Sequence, residues 1–181
     1  MIEIRSFENL LGSQLDEAAS VLMQALVHAP AAYHTIEEAR AEVSKVSNND
    51  RLGFAALIAD RLVGWIGAIK TYDRGWELHP LVVDPAHQRS GIGLLLIRTL
   101  EGRARSEGVL TLYLGADDDF AGTSLFGAEL YPDPLTKLAA IKPTTGHPFT
   151  FYLRAGFVLA GVLPDVNGTG KPDILMAKKI V

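Results

Sequence analysis

The stretch "HPLVVDPAHQRSGIGLLLIRTL", residues 79–100, decides how this chain reads. An apolar run meets Asp84 and Pro85, then a short polar turn, then Gly91 and Gly93 one residue apart, then a leucine-rich segment. Where a strand hands over to a helix, the first helical N–H groups lack intrahelical partners and point along a dipole that favours anions. Bare glycines at 91 and 93 let a phosphate approach those groups, and Arg89 adds positive charge beside them. Spacing alone leaves two readings open: a pyrophosphate cradle, or a tight strand-to-helix corner. The motif is not the dinucleotide G-x-G-x-x-G, because position 96 is Leu. Nor is it a P-loop, because no Gly-Lys-Ser/Thr follows.

Behind the turn, Ile92, Leu95, Leu96, Leu100 and Ala104 fall on one stripe, while Arg98, Glu101, Arg103 and Arg105 fall opposite. That pattern predicts a helix over 91–107, closed by Gly108. Upstream, "WELHPLVV" reads as a strand, and "FAALIAD" and "LVGWIGAIKTY" as a hairpin turning around Asp60 and Arg61. "MIEIRSF" alternates as a first strand. Residues 13–28 carry Leu15, Ala18, Ala19, Leu22 and Leu26 at helical spacing, with Ser13 as the expected N-cap. Thr35 and Glu38 have the spacing of a capping box for a second helix, "IEEARAEVSKV".

Downstream, "LTLYLGA" is strand-like, and the stretch from Asp117 to Gly146 is poorly periodic, with "LTKLAAI" as its only helical piece. A connection that long inside a compact domain is commonly functional. "HPFTFYLRAGF" then reads as a short helix, "VLAGVLP" as a strand, "DVNGTGKP" as a turn and "DILMAKKI" as a last strand. The order predicts an α/β (α+β) fold built on a mixed sheet with helices on its faces, in one domain spanning 1–181.

Composition narrows the function. Apolar residues are 48% and charged residues 21%, an ordinary globular balance. Seventeen basic against 21 acidic side chains give a net charge of −4, which disfavours nucleic acid as a partner. There is no cysteine, so disulfides, thiolate metal sites and cysteine nucleophiles are excluded and a cytoplasmic location is expected. "MIEIRSFENL" has neither a basic n-region nor an apolar h-region, so no signal peptide is expected there. No apolar run approaches the roughly 18 residues of a membrane span, so no membrane association is expected.

"QRSGIG" after "LVVDP" resembles the Q/R-x-x-G-x-G/A signature of the GNAT acetyltransferase superfamily. "WELHPLVV", "LYLGADDD", "TSL", "HPFTFYLRAGF" and "GKPDILMAK" resemble, in the same order, segments of the aminoglycoside 6′-N-acetyltransferases. The resemblance implies the GNAT fold, with a mostly antiparallel twisted sheet and helices on both faces. It implies acetyl transfer from acetyl-coenzyme A to the 6′-amine of an aminoglycoside and, together with exposed strand edges, a homodimer; no metal is expected, because Asp117, Asp118 and Asp119 lack convergent ligands of known spacing. Gln88, Arg89, Ser90, Gly91, Ile92 and Gly93 would then hold the pyrophosphate. The Leu81 N–H would bond the thioester oxygen, and the main chain around Val83 the pantetheine.

Glu77 and His79 are two apart on a strand and share a face with Leu81 and Val83. The resemblance puts Glu77 and His79 at the acceptor. Glu77 would orient the amine or take its proton through water; His79 would do the latter or hydrogen-bond locally. Asp117 and Asp118 read either as a solvated turn or, by resemblance, as an acidic floor for a polycation, while position 116 is Ala where many relatives carry Thr. Asp173 reads as turn chemistry, with a role near the acceptor as the alternative. Tyr152 matches the tyrosine the family keeps near the coenzyme A sulfur, the alternative being aromatic packing with Phe151 and Phe157. Relatives often read His-Pro-Tyr-Glu-Phe-Tyr where this chain has Phe149 and Thr150, a departure that bears on the acceptor. Two other functions stay open: transfer to a different cationic amine, or a non-catalytic acyl-coenzyme A binding module.

Overall fold

A computed structural model describes residues 1–27, 33–47 and 51–180. They form two compact units, the first holding residues up to 112 together with Ile180, the second residues 113–179.

In the first unit, β1 (Ile2–Ser6), β2 (Leu52–Ile58), β3 (Arg61–Tyr72) and β4 (Gly75–Val83) pair in that order, each antiparallel to the next. The β2–β3 turn lies at Ala59 and Asp60, both with positive φ, one residue before the expected centre. Helix α1 (Gly12–Ala25) begins earlier than the Ser13 cap predicted. The buried Gln14 takes over that task, its Oε1 accepting the Leu11 N–H at 3.0 Å while its Nε2 donates to the Asp60 carbonyl at 3.1 Å. The helix stops at Ala25, and His28, its expected last residue, lies outside the described residues. Helix α2 (Ile36–Ser47) opens with the expected box, Thr35 N–H to Glu38 at 3.1 Å and Glu38 N–H to Thr35 Oγ1 at 3.2 Å.

Two faces of β3 bury two different layers. Trp65 is fully buried on one, its ring 5.2 Å from that of Phe7 and its Nε1 donating to the Ala18 carbonyl at 3.0 Å. Ala18, Leu22, Ala39, Val43 and Val46 complete that apolar core with Ala55, Leu57 and Val82. On the other face, Gly64 meets Ile92 of α3 (Ile92–Ser106), whose Leu96, Ile97, Leu100 and Ala104 are buried. The stripe therefore uses Ile97 where the sequence pattern gave Leu95. Side chains that alternate across one strand are what put helices on both faces.

In the second unit, β7 (Asp173–Lys179) lies between β5 (Thr111–Asp117) and β6 (Val158–Leu163), and β6 and β7 are antiparallel. Two short helices, α4 (Pro134–Ala139) and α5 (Phe149–Arg154), interrupt the long connection. The mixed α/β, mostly antiparallel class is as expected.

Candidate functional site

β4 supplies the first cluster. Along it burial alternates, with Trp76, Leu78, Pro80 and Val82 inside and Glu77, His79, Leu81 and Val83 half-buried on the other face. Pairing with β3 slips there, for Ala68 faces Leu78 while Ile66 faces Leu81. His79 and Pro80 are thus the bulge, opposite Gly67 alone. The chain closes on Gly67 so tightly that a Cβ there would stand 2.4 Å from the His79 carbonyl oxygen. Burial holds the His79 imidazole below its ordinary range; Arg51 and Lys45 push the same way, against Glu42 and Glu77. The His79 imidazole is thus neutral at neutral pH.

The turn after β4 is tied to itself before α3 begins. Asp84 accepts from Ala86 N–H and faces His87 Nδ1, both at 2.9 Å. Gln88 Nε2 donates to the Val83 carbonyl at 3.2 Å, and Ser90 Oγ donates to the His87 carbonyl. Arg89 has φ of 60° and Gly91 φ of 88°. Left-handed residues in a turn are among the backbone conformations that expose N–H groups to an anion. No side chain caps α3, and a Cβ on Gly91 would meet nothing within 4 Å. The space around Gly91 is open, and an uncapped helix N-terminus suits an anion. The Ile92 side chain is core, which leaves only its main chain at the turn.

In the second unit the poorly periodic stretch proves ordered, and two residues organise it. Asp118 is fully buried; Oδ1 accepts Gly122 N–H at 2.7 Å, and Oδ2 accepts Thr123 N–H at 2.9 Å and Thr123 Oγ1 at 2.6 Å. Of the two acids expected to form an acidic floor, Asp118 is thus buried and engaged by its own loop. Asp117 is exposed, with Oδ1 accepting from Asn167 Nδ2.

His147, which sequence reasoning passed over, is the second organiser. Its Nδ1 accepts the Phe149 N–H at 3.1 Å, so the proton sits on Nε2, which donates to the Asp117 carbonyl at 3.1 Å. It stacks on Phe120 at 5.6 Å, and burial lowers its pKa below the ordinary histidine value, against the pull of Asp118, Asp117 and Asp119. The carboxylate of Asp173 lies against Gly115, where a Cβ would stand 2.3 Å from its Oδ2. Asp117 and Asp173 thus flank Gly115 on the less buried side of β5 and β7.

Tyr152 is buried on α5, its ring edge-on to Phe157 at 5.6 Å and to Phe151 at 5.2 Å. Burial alone pushes its phenol far above the usual value, so it stays protonated. Both sequence readings of Tyr152, proton donor and packed aromatic, fit this placement.

Residues 18–126 match the Acetyltransferase (GNAT) family. This chain belongs to that family of acetyltransferases. Its fold is close to that of an aminoglycoside 6′-N-acetyltransferase complexed with coenzyme A, with 39% identity, TM-score 0.91 and coverage of 99% of this chain and 97% of that one. An aminoglycoside 6′-N-acetyltransferase from Enterococcus faecium matches with the same identity and coverage and a TM-score of 0.88. The ribosomal-protein-S18-alanine N-acetyltransferase from Escherichia coli, 20% identical over 99% of this chain and 94% of that one, shares the fold at a TM-score of 0.67. No curated protein matches the chain significantly. Among the described residues, no helix is long and apolar enough to cross a membrane, and no group of three or more His, Cys, Asp or Glu could hold a metal ion.

Proposed function

We propose that this acetyltransferase acts on the 6′-amine of aminoglycosides, by direct attack within a ternary complex. The observation that carries the reading is the 39% identity, over 99% of the chain, to two solved aminoglycoside 6′-N-acetyltransferases. The match runs across both compact units, so residues 1–181 are read as one catalytic domain.

Acetyl-coenzyme A, the co-substrate of the family, supplies the thioester. The open, twice left-handed turn from Gln88 to Gly93, with the Arg89 charge beside it, is read as the cradle for its pyrophosphate. The Leu81 N–H is read as the donor to the acyl oxygen, and the Val83 main chain as a pantetheine contact. An amine with a lysine-like pKa of about 10 is only roughly one-thousandth neutral at pH 7. Removing its proton is therefore a substantial part of the barrier. Glu77 holds the ammonium, and the neutral imidazole of His79 takes the proton directly or through water. Tyr152, kept protonated by burial, gives a proton to the departing sulfur. Asp117 and Asp173 are read as acceptor contacts, with Asp118 acting on them only through its loop.

Phe149 and Thr150 favour a second reading, another cationic amine as acceptor. Phe149 is buried, and Thr150 Oγ1 donates to the His147 carbonyl at 3.1 Å, so neither repeats the Tyr-Glu pair common in relatives.

Thiol release from acetyl-coenzyme A, measured with kanamycin, tobramycin, a 6′-hydroxyl aminoglycoside, spermidine and a short peptide, separates these readings. Turnover with 6′-amino compounds and none with the 6′-hydroxyl analogue supports the first. Turnover on spermidine or peptide with silence on aminoglycosides replaces it with the second. Binding of acetyl-coenzyme A without any turnover leaves a binding module.

A further inference from the structure

A second carboxylate stands behind the exposed face of β4. Glu42, on α2, is 4% exposed and occupies a position in the buried stripe of Ala39, Val43 and Val46. An apolar residue there would simply complete the core. Instead Glu42 Oε2 lies 2.7 Å from Lys45 Nζ, while its Oε1 pairs with Arg51 Nη1 and lies 3.6 Å from His79 Nε2. Burial pulls the Glu42 carboxyl upward, and Lys45, Arg51 and His79 more than reverse it, so it is ionised. The nearby Tyr33 phenol, raised by burial and by the Glu42 charge to about 12, is neutral.

Four charged groups from three elements act on the His79 imidazole: Glu42 and Lys45 from α2, Arg51 from the segment before β2, and Glu77 from its own strand. Two cations and two anions balance around it. A carboxylate on the Nε2 edge favours the tautomer with its proton on Nε2, which leaves Nδ1 as the basic nitrogen.

We propose that Glu42 is a positioning residue for the transfer reaction: it holds the Nε2 edge of His79 and leaves Nδ1 to receive the proton of the acceptor amine. This rests on the reading of His79 as the base. Glu42 touches no reacting atom; it acts through the histidine, while Arg51 and Lys45 hold it ionised.

Neutralising one anion and one cation makes the test specific. Glu42→Gln leaves Lys45 and Arg51 opposed only by Glu77, so an imidazolium at position 79 becomes harder to form. The NMR titration midpoint of His79 and the acid limb of kcat/KM should both move down, with kcat falling about tenfold and KM for the amine nearly unchanged. Lys45→Gln, at a half-exposed position, removes a cation and should move both up. A packing role for Glu42 gives no such pair of opposite shifts.

A folded Glu42→Gln protein whose His79 midpoint does not move overturns the proposal, as do shifts of the same sign in both variants. If Glu42→Gln fails to fold, Lys45→Gln decides alone: an upward shift supports the pairing and none overturns it. Midpoints that move while the acid limb stays put mean that His79 is not the base, and the positioning role falls with it. A wild-type enzyme that acetylates no amine sinks the proposed function separately, because the titrations still read the Glu42–His79 pairing.

Discussion

Asp118 accepts both the backbone N–H and the hydroxyl of Thr123, at 2.9 and 2.6 Å, on a single carboxylate oxygen. With Gly122 N–H on the other oxygen, one buried side chain satisfies three donors of the loop that follows β5. Thr123 Oγ1 in turn accepts from Leu125 N–H at 3.1 Å, so the network extends into the next turn. Such charge-assisted bonds are shorter and stronger than neutral ones, and leaving a buried donor unpaired carries its whole desolvation cost.

Asp118→Asn should therefore destabilise the protein by about 1–3 kcal/mol, because the amide nitrogen cannot accept the bonds that one carboxylate oxygen accepted. A urea titration checks this. A midpoint equal to that of the wild type would show that the loop does not depend on Asp118. Acetyl-coenzyme A affinity should change little, since the proposed cradle, Gln88 to Gly93, belongs to another segment.

A pH effect follows from His147. Burial lowers its folded-state pKa below the ordinary 6.5, so the unfolded chain binds its proton first as pH falls. Below about 6.5 the unfolded state holds more protons, and stability declines with falling pH until the folded imidazole also titrates. His79, likewise lowered, contributes a slope of the same sign. Glu38, Glu42, Asp84 and Glu107 are all lowered and act in the same direction, but only below their own ordinary range near 4. Urea midpoints at pH 7.5 and 5.5 should thus differ in the wild type, and differ less in His147→Gln. Equal differences in the two proteins would mean that His147 is not held neutral.

Much of this was legible in the chain. Thr35 and Glu38 announced α2 because a capping box is local chemistry at fixed spacing. Glu77 and His79 were placed on one face because a strand has period two. The α1 cap was not legible, since Gln14 receives the Leu11 N–H only through a long-range fold that also brings it the Asp60 carbonyl. Asp118 was misread for a related reason. Three consecutive aspartates look like a solvated or substrate-facing turn, and nothing local says which one turns inward to bind residues 122 and 123. Glu42 was hidden among the acids of "IEEARAEV", although its spacing from Ala39 and Val46 put it on the apolar stripe. An acid at a core position was the available signal, and its partners Arg51 and His79 lie too far along the chain to be seen from it.

Gly67 and Gly91 make a contrasting pair. Gly91→Ala meets open space, so its cost is the left-handed backbone alone, about 1 kcal/mol. If the turn is a phosphate cradle, KM for acetyl-coenzyme A should rise by about tenfold or more, beyond what that small strain explains. If it is only a corner, KM should stay near the wild-type value. Gly67→Ala has no open space, because its Cβ would press on the His79 carbonyl oxygen at 2.4 Å. It should cost about 1–3 kcal/mol as an overpacked site and shift the acceptor kinetics, leaving KM for acetyl-coenzyme A almost untouched.

Tyr152→Phe separates the two readings of that side chain. The ring is buried between Phe151 and Phe157, and the substitution keeps all of that contact while deleting one oxygen. Stability should stay within about 0.5 kcal/mol unless the hydroxyl has a buried partner. If the phenol protonates the departing thiolate, kcat should fall by about 10²-fold, the lower end of what a positioned acid contributes. The loss should be smaller with an activated thioester whose thiol is more acidic, because a better leaving group needs less help from a proton. A variant with wild-type kcat on both thioesters would reduce Tyr152 to an aromatic in the core of α5. A uniform loss on both, with a lowered unfolding midpoint, would mean that the oxygen supports the packing and leave the thiolate to find its proton from water.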